Sequence, residues 1–259
     1  MKILAIAFVF VLSTLPAVAD PGLKWITDFE ASGGLRTPRY KETIAYCRRL
    51  AQASPWVHYS SFGTSPQGRG LPLVILSNER AFDPASASRT GKVIVLIQSC
   101  IHAGEPDGKD ASLMLMREIA ITKTRASLLD HAILLFIPIF NVDGHERFGP
   151  HNRINQNGPE EAGWRVNAQN LNLNRDYMKA DTPEMRAWLR LFVSWMPDLF
   201  VDCHVTDGMD FQYDVTYGVE YAQNIEPVLS RWLKGSLIPG MLPRGWNRQV
   251  TRYSTMCLT

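Results

Sequence analysis

Two histidines and one glutamate have the residue types and the placement of a catalytic zinc site. His102 and Glu105 form a His-x-x-Glu pair shortly after the apolar run at residues 93–97. His204 follows a second apolar run, at residues 199–201. The His-x-x-Glu spacing puts an imidazole and a carboxylate on one turn of backbone, so that both can point at one ion. A distant histidine completes a His₂Glu set, which leaves one coordination position of zinc open for water. An ion in such a site acidifies that water and polarises a substrate carbonyl.

A second candidate site is the polar segment at residues 163–176, which contains Arg165 and Arg175. Arginine can bind a carboxylate through two parallel N–H···O bonds, and this fork fixes orientation as well as contributing energy. A segment with two arginines, several amides and no long apolar run therefore suits an anion site. The alternative is a solvated loop whose arginines form weak surface pairs, and the segment taken alone favours that alternative.

Helical and strand patterns alternate along the chain, and this alternation predicts an α/β fold. We expect a mixed, mostly parallel β-sheet with helices on both faces. Ligands of such sheets bind beyond the carboxyl ends of the strands, which is where His102 and His204 lie. The aperiodic stretch at residues 144–173 is long enough to predict a functional loop. The expected strands are 57–62, 71–76, 93–97, 133–140 and 199–201. One helix is expected to begin at Thr37-Pro38, and three more are expected at 107–121, 181–196 and 225–237.

Four motifs in a fixed order resemble the zinc carboxypeptidases of the funnelin (M14) family. The resemblance spans roughly residues 37–240. It implies the fold of that family and hydrolysis of a C-terminal peptide bond by zinc-activated water. The implied substrate is a peptide or protein with a free C-terminal carboxylate. The motifs are His102-x-x-Glu105, then Asn141-Val142-Asp143-Gly144, then Arg165-x-Asn-Ala with Leu-Asn174-Arg175, and finally a strand that leads to His204.

The resemblance also implies a role for individual residues. His102, Glu105 and His204 would bind zinc. Asn174 and Arg175 would hold the terminal carboxylate of the substrate. Arg165 would stabilise the oxyanion of the tetrahedral intermediate, which needs a fixed donor where charge develops. Arg153 is a competing candidate for that last role, although its distance from Asn174 matches the family less well.

Two features depart from the family pattern. Asn172 stands where the family usually has an aspartate that orients a zinc-bound histidine, and a neutral amide raises ligand basicity less. The family's general-base glutamate lies further beyond the second zinc histidine than Thr259 lies beyond His204. We therefore expect residues 20–259 to be a carboxypeptidase-like catalytic domain that lacks its last strands and its general base. Such a chain would be inactive or nearly so.

Two other functions stay open on the sequence alone. A zinc-dependent deacylase of N-acyl amino acids shares the His-x-x-Glu…His pattern, and its substrates also carry a carboxylate that Asn174 and Arg175 could hold. A non-catalytic protein that binds zinc and a carboxylate would keep the ligands without a general base.

The first 19 residues have the pattern of a secretory signal peptide. Met1-Lys2 is positively charged, residues 3–15 are almost unbroken apolar, and Ala17-Val18-Ala19 has the small-x-small form of a cleavage site. The apolar stretch is shorter than the ~20 residues of a membrane-spanning helix. We expect cleavage after Ala19 and a secreted or periplasmic protein.

The composition limits the classes of binding partner that we expect, and the cysteine spacing limits the disulfides and thiolate metal sites. With 27 Lys+Arg against 25 Asp+Glu, the net charge of +2 gives no electrostatic reason to expect nucleic acid or a membrane as partner. The four cysteines are too scattered for a disulfide scaffold or a four-thiolate zinc site, and we expect most of them to be buried thiols. They are Cys47, Cys100, Cys203 and Cys257. The remaining histidines are expected at the surface or in the core, with the last two as possible pocket contacts: His58, His131, His145 and His151.

Overall fold

The computed structural model describes residues 23–209 and 225–241. The chain divides into two units, the first of which ends at Gly208. The predicted signal peptide and Cys257 lie outside the described residues. Within the two described ranges, no helix combines the length and the apolar character needed to cross a membrane.

The described part of the first unit, residues 23–208, contains a five-stranded sheet, six helices and three short 3₁₀ turns. The strands are β1 (Val57–Thr64), β2 (Gly70–Leu76), β3 (Val93–Gln98), β4 (Ala132–Ile137) and β5 (Leu199–Asp202). The helices are α1 (Asp28–Ala31), α2 (Tyr40–Ala53), α3 (Pro84–Thr90), α4 (Asp107–Ala120), α5 (Val142–His145) and α6 (Pro183–Trp195). The 3₁₀ turns are Leu23–Trp25, Ala126–Asp130 and Leu173–Arg175. The described part of the second unit consists of α7 (Pro227–Trp232), a π-helical turn (Leu233–Leu237) and α8 (Ile238–Met241).

The sheet is mixed, with the strand order β1-β2-β4-β3-β5. β1 pairs antiparallel with β2, and β2 pairs antiparallel with β4. β3 lies parallel to both β4 and β5. The prediction of a mixed α/β sheet is confirmed, and its parallel part is the half in which β3 and β5 carry the candidate ligands.

Helices cover both faces of this sheet, as predicted. In β4, Leu134 and Phe136 belong to a core cluster with α2 and α4, whereas Ile133, Leu135 and Ile137 belong to the opposite cluster with α3 and α6. Successive side chains of a strand point to opposite faces, so a strand covered on both sides must be apolar at nearly every position. This explains the unbroken apolar run that the sequence shows at residues 132–137.

The start of α2 differs from the prediction. The expected N-terminus was Thr37-Pro38, but the helix begins at Tyr40, with Arg39 as its N-cap. A tertiary contact replaces the local cap, because the Tyr40 N–H donates to Glu146 Oε1 at 2.9 Å. Such a contact between residues far apart in the chain leaves no local sequence signal.

The inner face of α6 also differs at one position. The helix predicted at 181–196, from an apolar face that includes Met196, extends past the observed end: Met196 is the C-cap, with a left-handed φ of 43°, and is 68% exposed. The helix ends one residue earlier than the apolar spacing implies. Trp195 instead closes the buried face, together with Met185, Trp188 and Leu191.

The turn between β1 and β2 is tied to the segment that follows β4. The Asp143 carboxylate, fully buried at the start of α5, accepts from Ser65 Oγ at 2.8 Å, from the Gln67 N–H at 3.1 Å and from Arg69 Nη1 at 2.6 Å. A buried carboxylate is stable only with such partners. These three contacts hold the start of the long loop, which continues to residue 173, against the sheet.

We therefore expect Asp143→Ala to lower the free energy of unfolding by about 3 kcal/mol. This is the low end for breaking a buried ion pair, because the Arg69 side chain is 29% exposed. Chemical denaturation monitored by circular dichroism measures the change. The matched control is Asp181→Ala, which removes an acid paired with Lys179 where both side chains are 58% exposed; its expected cost is at most about 1 kcal/mol. Equal losses in the two variants would contradict this role of Asp143.

Candidate metal centre

The two neighbouring parallel strands β3 and β5 bring the candidate ligands to one edge of the sheet. Gln98 and Asp202, the last residues of these strands, are paired in register. His102 and Glu105 follow the first strand within seven residues, and His204 follows the second within two. Parallel strands end at the same edge, so both loops emerge together.

The three predicted zinc ligands form one cluster. His102 Nδ1 lies 3.0 Å from Glu105 Oε1, and His204 Nδ1 lies 3.0 Å from Glu105 Oε2. The two imidazole rings are 5.0 Å apart between centroids. One ligand atom from each residue lies within 4.8 Å of the others. His102 and Glu105 are buried, whereas His204 is partly exposed, so the cluster is open on the His204 side.

The charges in this cluster favour an ionised Glu105. Burial by itself raises the pKa of Glu105, but hydrogen bonds from His102 and His204 and the charge of Arg153 lower it well below its usual range. Burial lowers the pKa of His204, and the carboxylates of Asp202 and Glu105 override this effect and raise it to about 10. This shift of the His204 pKa favours a protonated imidazole between the two carboxylates. A metal ion and a proton compete for the ring nitrogen that faces Glu105.

Two arginines of the long loop reach the same carboxylate. Arg153 Nη1 lies 2.9 Å from Glu105 Oε1, and Arg165 Nη1 lies 3.6 Å from it. Both also approach Asp207 Oδ1, at 3.1 Å and 3.8 Å respectively. The Arg153 side chain is only 8% exposed, whereas that of Arg165 is 34% exposed. Both arginines line a cavity of about 620 Å³ beside the cluster. Arg153 is thus the more buried partner of Glu105, and Arg165 is the more exposed of the two.

Three glycines allow the loop to approach the ligand-bearing backbone. A Cβ at Gly104 would lie 2.6 Å from the Gly163 carbonyl oxygen, and a Cβ at Gly163 would lie 2.7 Å from the Ala103 carbonyl oxygen. A Cβ at Gly144 would lie 2.6 Å from the Trp164 carbonyl oxygen. The absence of side chains at these positions lets Arg165 lie next to Glu105.

Other sequence-predicted residues are not brought into the cluster. Among the described residues, no hydrogen bond or ion pair joins Asn174 or Arg175 to the three ligands. The Arg175 side chain is exposed, and its Nη1 donates to the Asn174 carbonyl at 2.9 Å. Asn172 was expected to accept from a zinc-bound imidazole, but its Oδ1 accepts the Asn174 N–H at 3.0 Å and caps a 3₁₀ turn. The substrate-binding role of Asn174 and Arg175 stays a prediction.

The remaining histidines and cysteines lie outside the cluster. His58, His131 and His151 are exposed, whereas His145 is buried, with its Nε2 3.3 Å from Lys109 Nζ and its Nδ1 3.2 Å from Glu146. Burial and the Lys109 charge lower the pKa of His145 to about 4. Cys47 and Cys100 are buried free thiols, and Cys203 is a half-buried one.

Asp202 is a site residue that the sequence analysis did not identify. Its Oδ2 lies 2.9 Å from His204 Nε2, on the side of the ring away from Glu105. A signal for it exists, because Asp-x-His at the end of a strand places both side chains on the same face.

The cluster fits a zinc ion on two grounds. Two imidazoles and one carboxylate are the donors that catalytic zinc uses. In addition, one ligand atom from each of the three residues lies within 4.8 Å of the others, which gathers the three donors around one point. The residues that would hold the ion are His102, Glu105 and His204.

Comparison with known proteins identifies a family for this chain. Residues 43–228 match a family model described as zinc carboxypeptidase. Carboxypeptidase 2 of Trichophyton rubrum is 30% identical over 192 residues, which is 73% of this chain and 32% of that protein. The chain thus spans about a third of the length of that curated relative.

Solved structures of similar fold include two carboxypeptidases. Carboxypeptidase A from Helicoverpa armigera has a TM-score of 0.52 and 22% identity, and the match covers 66% of this chain and 46% of that one. The metallo-carboxypeptidase from Burkholderia cenocepacia has a TM-score of 0.51 and 20% identity, with 66% and 42% covered. At these identities, the likeness is one of fold.

We expect His102→Ala and His204→Ala each to lose most of the zinc that the protein binds, because two remaining ligands hold the ion poorly. The zinc content after dialysis, measured by elemental analysis, reports the loss. His58→Ala is the matched control, since His58 is exposed and stacks on Phe82 away from the cluster; it should retain the wild-type zinc content. Undiminished zinc in both ligand variants would rule out this site.

Proposed function

The chain belongs to the zinc carboxypeptidase family, and from this membership we propose that it is a zinc-dependent metallocarboxypeptidase. The proposed reaction is hydrolysis of the C-terminal peptide bond of a peptide or protein substrate. The observation that carries the proposal is the convergence of His102, Glu105 and His204 with Arg165 at one sheet edge. This arrangement combines a metal-ligand set with a cation that faces a cavity.

Each residue of the cluster has a distinct part in the proposed chemistry. A zinc ion held by His102, Glu105 and His204 supplies Lewis acidity, which acidifies water and polarises a carbonyl. Arg165 presents a partly exposed guanidinium to the cavity, where it can donate to an oxygen that gains negative charge. Arg153 is more deeply buried and closer to Glu105, which supports a positioning role for it: it keeps that carboxylate ionised and in place.

Substrate orientation is assigned to Asn174 and Arg175. The exposed guanidinium of Arg175 can bind a carboxylate through two parallel hydrogen bonds, as carboxypeptidase substrates require. The carbonyl of Asn174 accepts from Arg175 Nη1, which limits the directions in which the guanidinium can point. This assignment rests on the motif, since neither residue contacts the metal ligands among the described residues.

Proton transfer is the step of the proposed reaction that the described residues support least. Among the described residues, Asp202 contacts the cluster, and Asp207 contacts the two arginines beside it. Asp202 accepts from His204, and Asp207 is paired with Arg153. Proton transfer by a positioned base is typically worth 10²–10⁴-fold. The described residues therefore support binding of metal and substrate better than they support fast turnover.

The proposed location is outside the cytoplasm, as a secreted or periplasmic protein. This part of the proposal rests on the signal-peptide pattern of residues 1–19. It agrees with a peptide substrate and with a net charge near zero, which favours neither nucleic acid nor an anionic membrane.

The function is tested with three substrate sets and a chelator. Zinc-loaded protein is assayed against peptides with a free C-terminus, the same peptides amidated at the C-terminus, and N-acyl amino acids. Chelator-sensitive release of the last residue from free peptides alone supports a carboxypeptidase. Faster turnover of N-acyl amino acids than of free peptides would identify a deacylase. Zinc and carboxylate binding without any turnover would identify a binding protein.

The two loop arginines should respond differently to removal. We expect Arg165→Ala to lower kcat, by about 2.7–4 kcal/mol in transition-state free energy if it resembles the loss of one oxyanion donor. Arg175→Ala should chiefly raise KM, because it removes a group that binds the ground state. Steady-state kinetics on a free peptide separates the two effects.

The control for these variants is Arg186→Ala, an exposed arginine that bonds only to the backbone of Ala180 and Asp181 among the described residues. It should leave both constants unchanged. Arg153→Ala should lose zinc, whereas Arg165→Ala should keep it. If Arg165→Ala raised KM alone, or if it lost zinc to the same extent as Arg153→Ala, the assigned roles would be wrong.

A further inference from the structure

The Asp-x-His sequence at the end of β5 places a second carboxylate on His204. Asp202 is the last residue of the strand, and its Oδ2 lies 2.9 Å from His204 Nε2. The other ring nitrogen, Nδ1, lies 3.0 Å from Glu105 Oε2. Both nitrogens of the ring therefore face a carboxylate, but the two carboxylates differ in their surroundings.

Only one of these carboxylates belongs to the metal-ligand cluster. The group whose ligand atoms converge consists of His102, Glu105 and His204, and Asp202 is not part of it. A zinc ion between the three would be on the Nδ1 side of His204. The Nε2 side would keep its proton and donate it to Asp202. A carboxylate that accepts the second N–H of a zinc-bound imidazole fixes the tautomer and the ring orientation, and it raises the basicity of the ligand.

We propose that Asp202 is a positioning residue, which holds His204 with Nδ1 toward the metal, and that Gln98 in turn holds Asp202. The inference rests on the proposed zinc site and goes beyond it by naming the residues that set the geometry of one ligand.

Asp202 is itself fixed by the neighbouring strand. Gln98, the fully buried last residue of β3, donates from Nε2 to Asp202 Oδ1 at 3.0 Å. The same amide nitrogen lies 3.0 Å from the Tyr177 hydroxyl oxygen. Gln98 and Asp202 are also partners in the parallel register of β3 and β5. Both oxygens of Asp202 thus have a partner, one toward the sheet and one toward the ligand.

The other histidine lacks such support. His102 Nε2 has no hydrogen-bond partner among the described residues, and Asn172 caps a turn instead. Among the described residues, Asp202 is therefore the carboxylate that contacts a candidate ligand imidazole without being a candidate ligand itself. We expect the zinc affinity to depend more on Asp202 than on any residue that surrounds His102.

The test measures zinc affinity by competition with a chromogenic chelator on the purified full chain. Removing an outer carboxylate of this kind typically weakens metal binding about 10–100-fold. We expect a loss in that range for Asp202→Ala. Asp202→Asn should lose less, because its amide oxygen can still accept from Nε2. Gln98→Met should lose affinity in the same direction, because Asp202 is then held less firmly.

The matched control is Asp198→Asn, a substitution in the residue just before the same strand. Asp198 Oδ2 accepts the Ile94 N–H at 2.8 Å, and an amide oxygen at this position can still accept that bond, so this variant removes a charge near the strand without touching His204. Its zinc affinity should equal that of the wild type. Thermal unfolding of each variant shows whether it is folded.

A second measurement needs no variant. Nitrogen–proton correlation spectra of the histidine rings in the zinc-loaded wild type show which nitrogen of His204 carries the proton. We expect protonated Nε2 and metal-bound Nδ1.

Metal-bound Nε2, or zinc affinity in Asp202→Ala equal to that of the wild type, would overturn the inference and leave the zinc site standing. A wild-type protein that binds no zinc would overturn both.

Discussion

A carboxylate buried away from water is stable only when charges or hydrogen-bond donors replace its hydration. Glu105 meets this condition with one histidine on each oxygen and with Arg153 beside one of them. Arg165 Nη1 at 3.6 Å and the backbone N–H of Val205 at 3.2 Å add two further contacts. The loops after β3 and β5 and the long loop all supply a partner, so Glu105 joins three segments that are distant in the sequence. Whatever displaces this carboxylate displaces the whole cluster.

The sheet explains why these segments meet. β3 and β5 are parallel neighbours, so the residues after them emerge at one edge, and the pair Gln98 and Asp202 marks where the strands end. The third segment comes from the other direction: it starts after β4, where the buried Asp143 ties it to the β1–β2 turn. The antiparallel half of the sheet thus anchors the loop, and the parallel half carries the candidate ligands. A mixed sheet therefore both anchors the long loop and brings the two ligand-bearing loops together.

Much of this could be predicted from the sequence, because the strongest signals are local. The run at residues 93–97 and the helix at 107–121 follow from apolar spacing, and they place His102 and Glu105 at a strand end. The partners of these residues could not be predicted, because they depend on contacts across the fold. Arg153 lies in an aperiodic stretch, where spacing says nothing about which way a side chain points.

Two errors of prediction have the same physical origin. The start of α2 is set by Glu146 rather than by a local cap, and a contact between distant residues has no local pattern. Asn172 was placed on a histidine by analogy, yet a short polar side chain readily bonds to its own backbone, as it does here. Asp202, in contrast, had a usable signal in the two-residue period of a strand, which fixes the face but not the partner.

The close backbone approach at Gly104, Gly144 and Gly163 divides the site into a part that can vary and a part that cannot. Any side chain at these three positions would meet a carbonyl oxygen, so directed evolution of this scaffold has no room there. The cavity wall beside Arg165 is different, because Ile154 is 84% exposed and Trp164 is 43% exposed. Libraries that seek a new substrate preference can diversify those two positions while the glycine contacts keep the candidate metal ligands in place.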